Sequence, residues 1–321
     1  MAVTDSISAS SAAVVRASIT QGKRDIKGLL FAGLLLVCLL ASLAMLTILM
    51  WDVIAAAIPV FDKRSSGFLT NDMSQDPDKA GVSQGIWGSL MIAIFVVVLA
   101  FPTGIAAGVY LEEYARPSRL TNFIQLTIRN LAGVPSVVYG ILGLVVFVKA
   151  FKGLTGGTSV IAAGVTLAVL VLPIIIITTA ESIRAVPSGL REAGYGVGGT
   201  QWETTRDHVL PYAAPGILTG TMLAVARALG EAAPLLLVGA ITGRLATVND
   251  ASLLDRLQGK FTAMPAVIYG WANNANTPGK KTGLTFEDLN AAAIVVLLVM
   301  VLVLNAAAIL LRNRFERRRQ A

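Results

Sequence analysis

Residues 192–211 read EAGYGVGGTQWETTRDHVLP, a polar segment between long apolar ones. A Val-Pro pair ends one predicted helix just before it, and Gly198 and the glycine that follows interrupt it. The pattern predicts a short helix over Arg191–Tyr195, a glycine turn, and a second helix over Gln201–Val209. Such a helix-turn-helix unit can dock into a groove of another protein. From composition alone, an ordinary connecting loop explains the segment equally well.

The flanking sequence is apolar over lengths that cross a bilayer. About 20 mainly apolar residues form a membrane-spanning helix. Five stretches of 19 to 32 residues carry no Asp, Glu, Lys or Arg, namely residues 28–51, 80–111, 130–148, 153–180 and 289–311. A sixth apolar segment, Gly216–Ile241, contains the charged residues Arg227 and Glu231. The sequence therefore predicts an all-α polytopic membrane protein with six transmembrane helices.

The composition agrees with a membrane protein and excludes several other classes. Hydrophobic residues make up 55% of the 321 residues and charged residues only 14%, against roughly 25% charged in an average soluble protein. A soluble enzyme and a disordered chain are excluded, and so is a disulfide scaffold, because Cys38 is the only cysteine. The net charge of +7 indicates basic loops beside anionic lipid headgroups rather than nucleic-acid binding.

The basic residues predict the orientation in the membrane. Lys and Arg are enriched in the cytoplasmic loops of membrane proteins. The densest cluster lies near the carboxyl terminus and comprises Arg312, Arg314, Arg317, Arg318 and Arg319. With six spans, both termini and the 192–211 segment are then expected on the cytoplasmic side.

These assignments predict the organisation of the chain. The first apolar stretch is too long for the apolar region of a signal peptide, so we expect it to be a retained helix. Residues 52–85 are expected to form a polar external loop, and Phe261–Trp271 a short interfacial or re-entrant element. The predicted parts are a disordered cytoplasmic tail (1–28), a first transmembrane helix with its external loop (29–84), a five-helix core (85–309) with an external loop at 242–290, and a basic cytoplasmic terminus (310–321).

Arg227 and Glu231 are the charged residues within a predicted span. A charge at the centre of such a helix costs roughly 2.5 to 3.5 kcal/mol on insertion scales. Four residues apart, the two side chains share a helix face and can pair. One interpretation is a self-neutralising structural pair. The other is that Arg227 offers a planar, permanently charged set of donors to an oxyanion, with Glu231 holding Arg227 when no anion is present.

Other residues near the predicted spans are less informative. Asn130, Ser136 and Tyr139 can hydrogen-bond to the same anion or, equally, to neighbouring helices. Arg129 is expected to extend its side chain to the membrane interface. Two glycines four residues apart allow close helix packing, and this motif occurs as Gly104-xxx-Gly108 and Gly216-xxx-Gly220.

The sequence offers no residues for catalysis or for binding ATP. Residues 279–282, GKKT, imitate the end of a P-loop, yet Asn274 stands where the first glycine belongs. His208 is the only histidine, which leaves a metal cluster or a catalytic triad without partners. An intramembrane enzyme would need a nucleophile and a base at membrane depth, and a passive channel would need a filter. Neither pattern occurs.

The spacing within the 192–211 segment narrows its interpretation. It resembles the EAA loop of ABC-transporter permeases, in which Glu-Ala-Ala is followed after three residues by Gly and after nine more by Ile-x-Leu-Pro. The matching residues are Glu192, Ala193, Gly198, Leu210 and Pro211. Gly194 replaces the second Ala, and His208 replaces the Ile. The resemblance implies that residues 184–212 supply a coupling helix that docks on a separate nucleotide-binding subunit.

Three further motifs resemble the permeases of the high-affinity phosphate importer, namely LEEYA at 111–115, NLAGVPS at 130–136 and ARALGEAAP at 226–234. The patch at 261–271 and the Arg-rich end are most similar to the A-type of its two homologous permease subunits. The resemblance implies the type I importer permease fold and a phosphate permease in the cytoplasmic membrane of a bacterium. Because Arg227 would bind any oxyanion, a molybdate or sulfate permease remains the main alternative. A passive anion channel is a further alternative.

The resemblance also implies the partners. They are a second homologous permease subunit, two ATP-binding subunits that hold ATP and Mg, an extracytoplasmic phosphate-binding protein, and membrane lipid. The chain itself is expected to bind no cofactor and no nucleic acid.

Overall fold

The computed structural model describes residues 26–242, 253–274 and 278–320. All regular structure in these ranges is helical. Two compact units divide between Asp52 and Val53, so the boundary predicted after residue 84 falls inside the second unit. The predicted disordered tail lies outside the described residues, except for residues 26–28, which are helical.

The helices are numbered in chain order. They are α1 (Ile26–Thr70), α2 (Ser83–Val109), α3 (Arg119–Ala132), α4 (Ser136–Gly143), α5 (Lys152–Thr155), α6 (Val160–Arg184), α7 (Ser188–Gly196), α8 (Gln201–Thr204), α9 (Leu210–Gly230), α10 (Ala233–Val238), α11 (Leu253–Gln258), α12 (Met264–Ala272) and α13 (Phe286–Gln320). Short π-helical segments extend α2 (Tyr110–Tyr114), extend α4 (Leu144–Ala150), and join α8 to α9 (Thr205–Val209).

The structure supports five or six spans, against the six predicted, and one of them is broken. Within the described ranges, five helical runs are long and apolar enough to cross a bilayer, namely Ile26–Arg64, Ser83–Tyr114, Val160–Arg184, Gln201–Gly230 and Phe286–Leu310. A sixth span results if α3 and α4 count as one broken helix, because the chain bends by 99° between them.

The bend between α3 and α4 replaces the straight helix predicted over residues 130–148. It falls at residues 133–135, where Pro135 lacks an N–H and disfavours helical backbone at the residue before it. The Tyr139 hydroxyl donates to the carbonyl of Leu131 across the bend, at 2.8 Å. Two roles were predicted for Tyr139, a hydrogen bond to the anion or one to a neighbouring helix. The observed bond is of the second kind and joins α4 to α3.

The sixth apolar segment is also not one helix. The helix predicted over Gly216–Ile241 begins earlier, as α9, and ends at Gly230. Glu231 is extended, with φ −79° and ψ 111°, and α10 follows. Pro234 explains the break, because a continued helix would need its missing N–H to bond the carbonyl of Gly230. Arg227 therefore lies in the last turn of α9, and Glu231 lies just beyond it.

Helix α6 has close neighbours on two sides, and both glycine motifs face it. A Cβ added to Gly104 would lie 2.6 Å from Ile175 Cγ2, and one added to Gly216 would lie 2.6 Å from Ser182 Oγ. The second glycines of the two motifs approach Thr179 and Thr178 in the same way. Because such distances exclude a side chain, the close packing that the motifs predict is confirmed.

The helix bundle has two ends, a lower one and an upper one, each formed by loops and short helices. The lower end comprises residues 110–118 and 185–209, and the upper end comprises residues 71–82, 151–159, 259–274 and 278–285. Within the predicted 52–85 loop only residues 71–82 are a loop, because helical structure extends to Thr70 after an interruption at Arg64, whose φ is −145°. The reason is tertiary burial of apolar side chains, which include Ala57, Val60 and Phe68 of α1 and Met264, Val267 and Trp271 of α12.

Residues 279–282, whose sequence imitates a P-loop, bind a carboxylate of the chain itself. The backbone N–H of Lys281 donates to Asp78 Oδ2 at 2.9 Å. The N–H and the hydroxyl of Thr282 donate to Asp78 Oδ1 at 3.0 and 2.7 Å. These bonds, led by the Thr282 hydroxyl, lower the pKa of Asp78 to about 2. The contact ties the 71–82 loop to the segment that precedes α13.

We expect Asp78→Asn to loosen this contact, because an amide places an N–H₂ group against the N–H donors of residues 281 and 282. The Asp78 pKa is lower in the folded chain than its unfolded value of about 4. Its stabilising effect is therefore full above about pH 4 and is lost as the pH falls toward 2. Hydrogen exchange of residues 278–285 measures this.

Exchange at neutral pH should be faster in Asp78→Asn than in wild type, and it should depend less on pH between 4 and 2. Asp62→Asn, which changes an exposed carboxylate on α1, is the matched control and should leave the exchange unchanged. Equal protection in the Asp78 variant and wild type would contradict this role.

Candidate functional site

The predicted helix-turn-helix unit is present at the lower end, and we call residues 188–209 the docking loop. Helix α7 begins after Pro187, whose ψ of 138° turns the chain away from α6. Gly198 has φ +88°, a left-handed conformation that favours glycine. Thr200 and Glu203 then form a reciprocal capping box at the start of α8.

The second half of the docking loop differs from the prediction. We expected the helix from Gln201 to end at Val209, before Pro211. Instead, the helix continues through the π-helical segment into α9 as one run, Gln201–Gly230. Pro211 is the second residue of α9, which directly follows the π-helical segment, and the hydrogen-bond pattern of the helix changes there. Any displacement of α8 is therefore passed directly along α9.

The residues matched to the EAA pattern have distinct positions. Glu192 and Ala193 are exposed on α7, Gly198 forms the turn, and Leu210 and Pro211 begin α9. The two departures from the pattern are neighbours. A Cβ on Gly194 would lie 2.7 Å from Thr204 Cγ2 and 3.3 Å from His208 Cδ2. Glycine at 194 therefore gives the room that the ring at 208 and the side chain at 204 occupy.

The outer face of the docking loop carries exposed apolar side chains. Tyr195, Val197 and Trp202 are all exposed, beside Glu192 and Ala193. Aromatic groups on a polar loop are typical of protein contact surfaces. Neither Tyr195 nor Trp202 was among the predicted site residues, although aromatic residues that flank a glycine turn are visible in the sequence.

Arg227 and Glu231 form the predicted pair. Arg227 Nε lies 3.3 Å from Glu231 Oε1, and the two side chains are 50% and 18% exposed. The geometry is a single contact rather than a two-bond fork, so most guanidinium N–H groups of Arg227 are not used by Glu231. The pair lies at the end of α9, whereas the sequence predicted that both residues would lie within one helix.

The contacts with α6 give the height of Arg227 in the bundle. Gly216 faces Ser182 and Gly220 faces Thr178. The two helices are therefore antiparallel, and four residues forward along α9 correspond to four residues backward along α6. Continuing that register places Arg227 level with about Val171, near the midpoint of α6. The same core cluster contains Ala224, Ala228 and Val171. The break after α9 therefore lies at mid-height.

The break before α4 lies at a similar height. Gly143 packs on Thr166 of α6, and Gly140 packs on Pro234 and Leu237 of α10. The first residue of α4 precedes Gly143 by seven residues. This spacing places it level with about the midpoint of α6. Ser136 is that first residue, while Arg129 and Asn130 are exposed on α3. The chain thus leaves the helical conformation twice at mid-height.

An open groove lies near the lower end of the bundle and extends along α9 as far as Gly220. It lies between α6 and α9, and its lining includes Thr178, Glu181, Ser182, Tyr212, Gly216 and Gly220. Arg227 follows Gly220 by two helical turns, which puts both residues on one stripe of α9. This groove could not be predicted from local sequence, because its polar lining comes from two helices whose register is set only by packing.

Comparisons with known proteins agree with this arrangement. A family described as "Binding-protein-dependent transport system inner membrane component" matches residues 100–321. The "Phosphate transport system permease protein PstA 1" of Mycobacterium tuberculosis is 33% identical over 303 residues, which cover 93% of this chain and 91% of that protein. The "Probable ABC transporter permease protein YqgI" of Bacillus subtilis is 32% identical over 245 residues, which cover 75% and 81%.

Solved structures share the fold at low sequence identity. A chain of a bacterial alginate ABC transporter, solved with an alginate-bound periplasmic protein, matches with a TM-score of 0.60 and 14% identity over 89% of this chain and 96% of that chain. A chain of the MetNI methionine ABC transporter in an inward-facing conformation matches with a TM-score of 0.52 and 19% identity over 73% and 95%. The architecture is therefore that of an ABC transporter membrane subunit.

Proposed function

We propose that this chain, which belongs to the family of binding-protein-dependent transport system inner membrane components, carries inorganic phosphate through the membrane. The family makes it the permease subunit of an importer, a membrane component without catalytic activity of its own. The observation that carries the substrate assignment is the Arg227 guanidinium at a mid-height break, in a chain 33% identical to a phosphate transport permease over 93% of its length.

Arg227 suits an oxyanion because its charge is permanent and its donors are planar. Its single bond to Glu231 can be exchanged for bonds to a phosphate oxygen, while Glu231 keeps the arginine oriented between transport events. At mid-height an anion has lost most of its water, so a fixed cation lowers the barrier to passage. The groove between α6 and α9 is the route from Arg227 to the lower end.

The partners follow from the docking loop and the family. Two permease subunits face each other across the pathway, and two ATP-binding subunits bind the docking loops from the cytoplasm. ATP and Mg are bound there, because residues 279–282 lack the first glycine of a P-loop, which is replaced by Asn274. A phosphate-loaded binding protein delivers the anion at the upper end. The basic cluster at residues 312–319 supports a cytoplasmic location for both termini.

Two alternative functions lead to different measurements. Arg227 would also attract sulfate or molybdate, and a structural role for the Arg227–Glu231 pair would leave the substrate to other residues. A passive anion channel would carry its anion without ATP. Uptake of each anion with and without ATP, in proteoliposomes that contain the whole transporter, separates these cases.

Arg227→Gln is expected to lower ATP-dependent phosphate uptake by about 100-fold, since bonds to charged groups contribute roughly 1.5 to 3 kcal/mol each. Assembly and ATP hydrolysis should remain measurable. Glu231→Gln should retain uptake, because it frees Arg227, and Arg129→Gln on the exposed face of α3 is the control for loss of a positive charge.

Three results would argue against this assignment. Normal phosphate uptake in Arg227→Gln would exclude Arg227 as the anion ligand. Equal loss in the Arg227 and Glu231 variants, with reduced thermal stability in both, would indicate a structural pair. If the wild-type transporter preferred sulfate or molybdate to phosphate, that anion would be the substrate and the phosphate assignment would be wrong.

Gly198→Pro is expected to detach the ATP-binding subunit, because the proline ring fixes φ near −65° and cannot adopt the +88° of this turn. Glu192→Lys reverses the charge on the exposed face of α7 and should act similarly. Co-purification of the ATP-binding subunit and ATP-dependent uptake are the measurements. Gly189→Ala, with no atom within 4 Å of the added Cβ, is the control, and wild-type behaviour of Gly198→Pro would contradict the docking assignment.

A further inference from the structure

The lower end of α2 is joined to the docking loop by a largely buried ion pair. Arg191 Nη2 lies 2.7 Å from Glu113 Oε1, and Arg191 Nε donates to the same oxygen at 3.1 Å. The Glu113 side chain is 6% exposed and that of Arg191 is 24% exposed. Glu113 lies in the π-helical segment that ends α2, a kind of segment often found at functional sites.

Arg191 uses its remaining donors on the end of α6. Its Nη1 donates to the carbonyl of Val186 and its Nη2 to the carbonyl of Ile183, each at 2.9 Å. The guanidinium therefore joins α2, α6 and α7 at one point. Because its fork of donors is planar and rigid, these bonds fix direction as well as distance.

Glu113 also holds the second half of the docking loop. The side-chain amide of Gln201, at the start of α8, donates to the backbone carbonyl of Glu113. Both helices of the docking loop are thus attached to one residue of α2, through the Glu113 side chain and through its backbone. A displacement of the loop as a rigid unit acts on α2 at that residue.

Other polar groups around this point do not duplicate the link. Within the described part of the chain, the hydroxyls of Tyr114, Thr204 and Thr205 are buried without a hydrogen-bond partner. The rest of the contact is apolar and includes Val109, Val186 and Val209. Apolar contacts are not directional, so the polar bonds to Glu113 set the orientation of the loop against α2.

Helix α2 connects this point to the upper end of the bundle. It runs beside α6 through Gly104 and Gly108. At its start, the Ser89 hydroxyl oxygen accepts the N–H of Met264, at 2.9 Å, which attaches α2 to α12. One helix therefore contacts the docking loop at the lower end and the α12 region at the upper end.

We propose that Glu113 is a positioning residue for transport, the link through which movement of the docking loop reaches α2 and, along it, the upper end. The proposal rests on the proposed function of the docking loop, because only a loop driven by ATP-binding subunits supplies the movement. Glu113 contacts neither phosphate nor nucleotide. It acts through Arg191 and Gln201.

A neighbouring ion pair provides a matched control. Arg184 Nη2 bonds Glu112 Oε1, and these two side chains are 52% and 14% exposed. Glu112 and Glu113 are adjacent on the same π-helical segment, but Glu112 is joined to the end of α6 and not to the docking loop. A general requirement for a carboxylate at this end of α2 would affect both residues equally.

The experiment compares Glu113→Gln, Arg191→Met, Glu112→Gln and the double variant Glu113→Leu/Arg191→Met in the complete transporter reconstituted in proteoliposomes. The readouts are phosphate imported per ATP hydrolysed, the stimulation of ATP hydrolysis by the phosphate-loaded binding protein, and the thermal midpoint of the complex. The double variant removes both buried charges, so it should regain stability that either single variant loses.

We expect phosphate imported per ATP to fall about tenfold or more in both single variants, because each leaves the partner of a buried pair uncompensated. The Glu112 variant should match wild type. In the double variant, the thermal midpoint should return toward wild type while import per ATP stays low, which a merely structural role would not produce.

Recovery of import per ATP together with stability in the double variant would overturn the proposal. An equal loss in Glu112→Gln would overturn it as well. If wild-type transporter showed no ATP-dependent uptake, the proposed function would fail and the link with it. If the wild-type transporter showed ATP-dependent uptake and Glu113→Gln imported as much phosphate per ATP, the proposed function would stand and only the link through Glu113 would be refuted.

Discussion

Backbone that leaves the helical conformation at bilayer depth must find hydrogen-bond partners in protein or in water. Among the residues that the structure describes, the chain does so at 133–135 and after Gly230, and both breaks lie near the midpoint of α6. The first is closed by the Tyr139 hydroxyl. The second leaves Glu231 extended and paired with Arg227. A break of this kind is tolerated beside packed protein or a hydrated path, and a charged pair at that height favours the path.

Close packing around α6 allows motion at one end to reach the other. Glycines on α2 and α9 bring both helices into contact with α6, and dense interiors transmit displacement rather than absorbing it. Helix α9 continues directly from the docking loop to Arg227, while α2 runs from Glu113 to the upper end. In our proposal, the loop therefore acts on the anion site through α9 and on the binding-protein side through α2.

The sequence predicted the apolar segments, the docking loop and both glycine motifs, because each follows from local composition or spacing. It missed the two helix breaks, since counting uncharged residues gives no weight to Pro135 and Pro234, although the two prolines are the physical cause. It also missed the continuation of α1 to Thr70, which depends on burial against α12. The contact of Asp78 with residues 281 and 282 joins parts of the chain about 200 residues apart, and local patterns carry no information on such a pairing.

The account depends most on the stripe of α9 that leads to Arg227 being the anion path. Cys38 is the only cysteine, so single cysteines in a Cys38→Ser background can be labelled in the assembled transporter with a charged, membrane-impermeant thiol reagent. Leu223→Cys, on the stripe between Gly220 and Arg227, should react, and phosphate should protect it. Ala224→Cys, buried in the core cluster with α6, should not react. An unreactive residue 223, or labelling that phosphate leaves unchanged, would contradict the account.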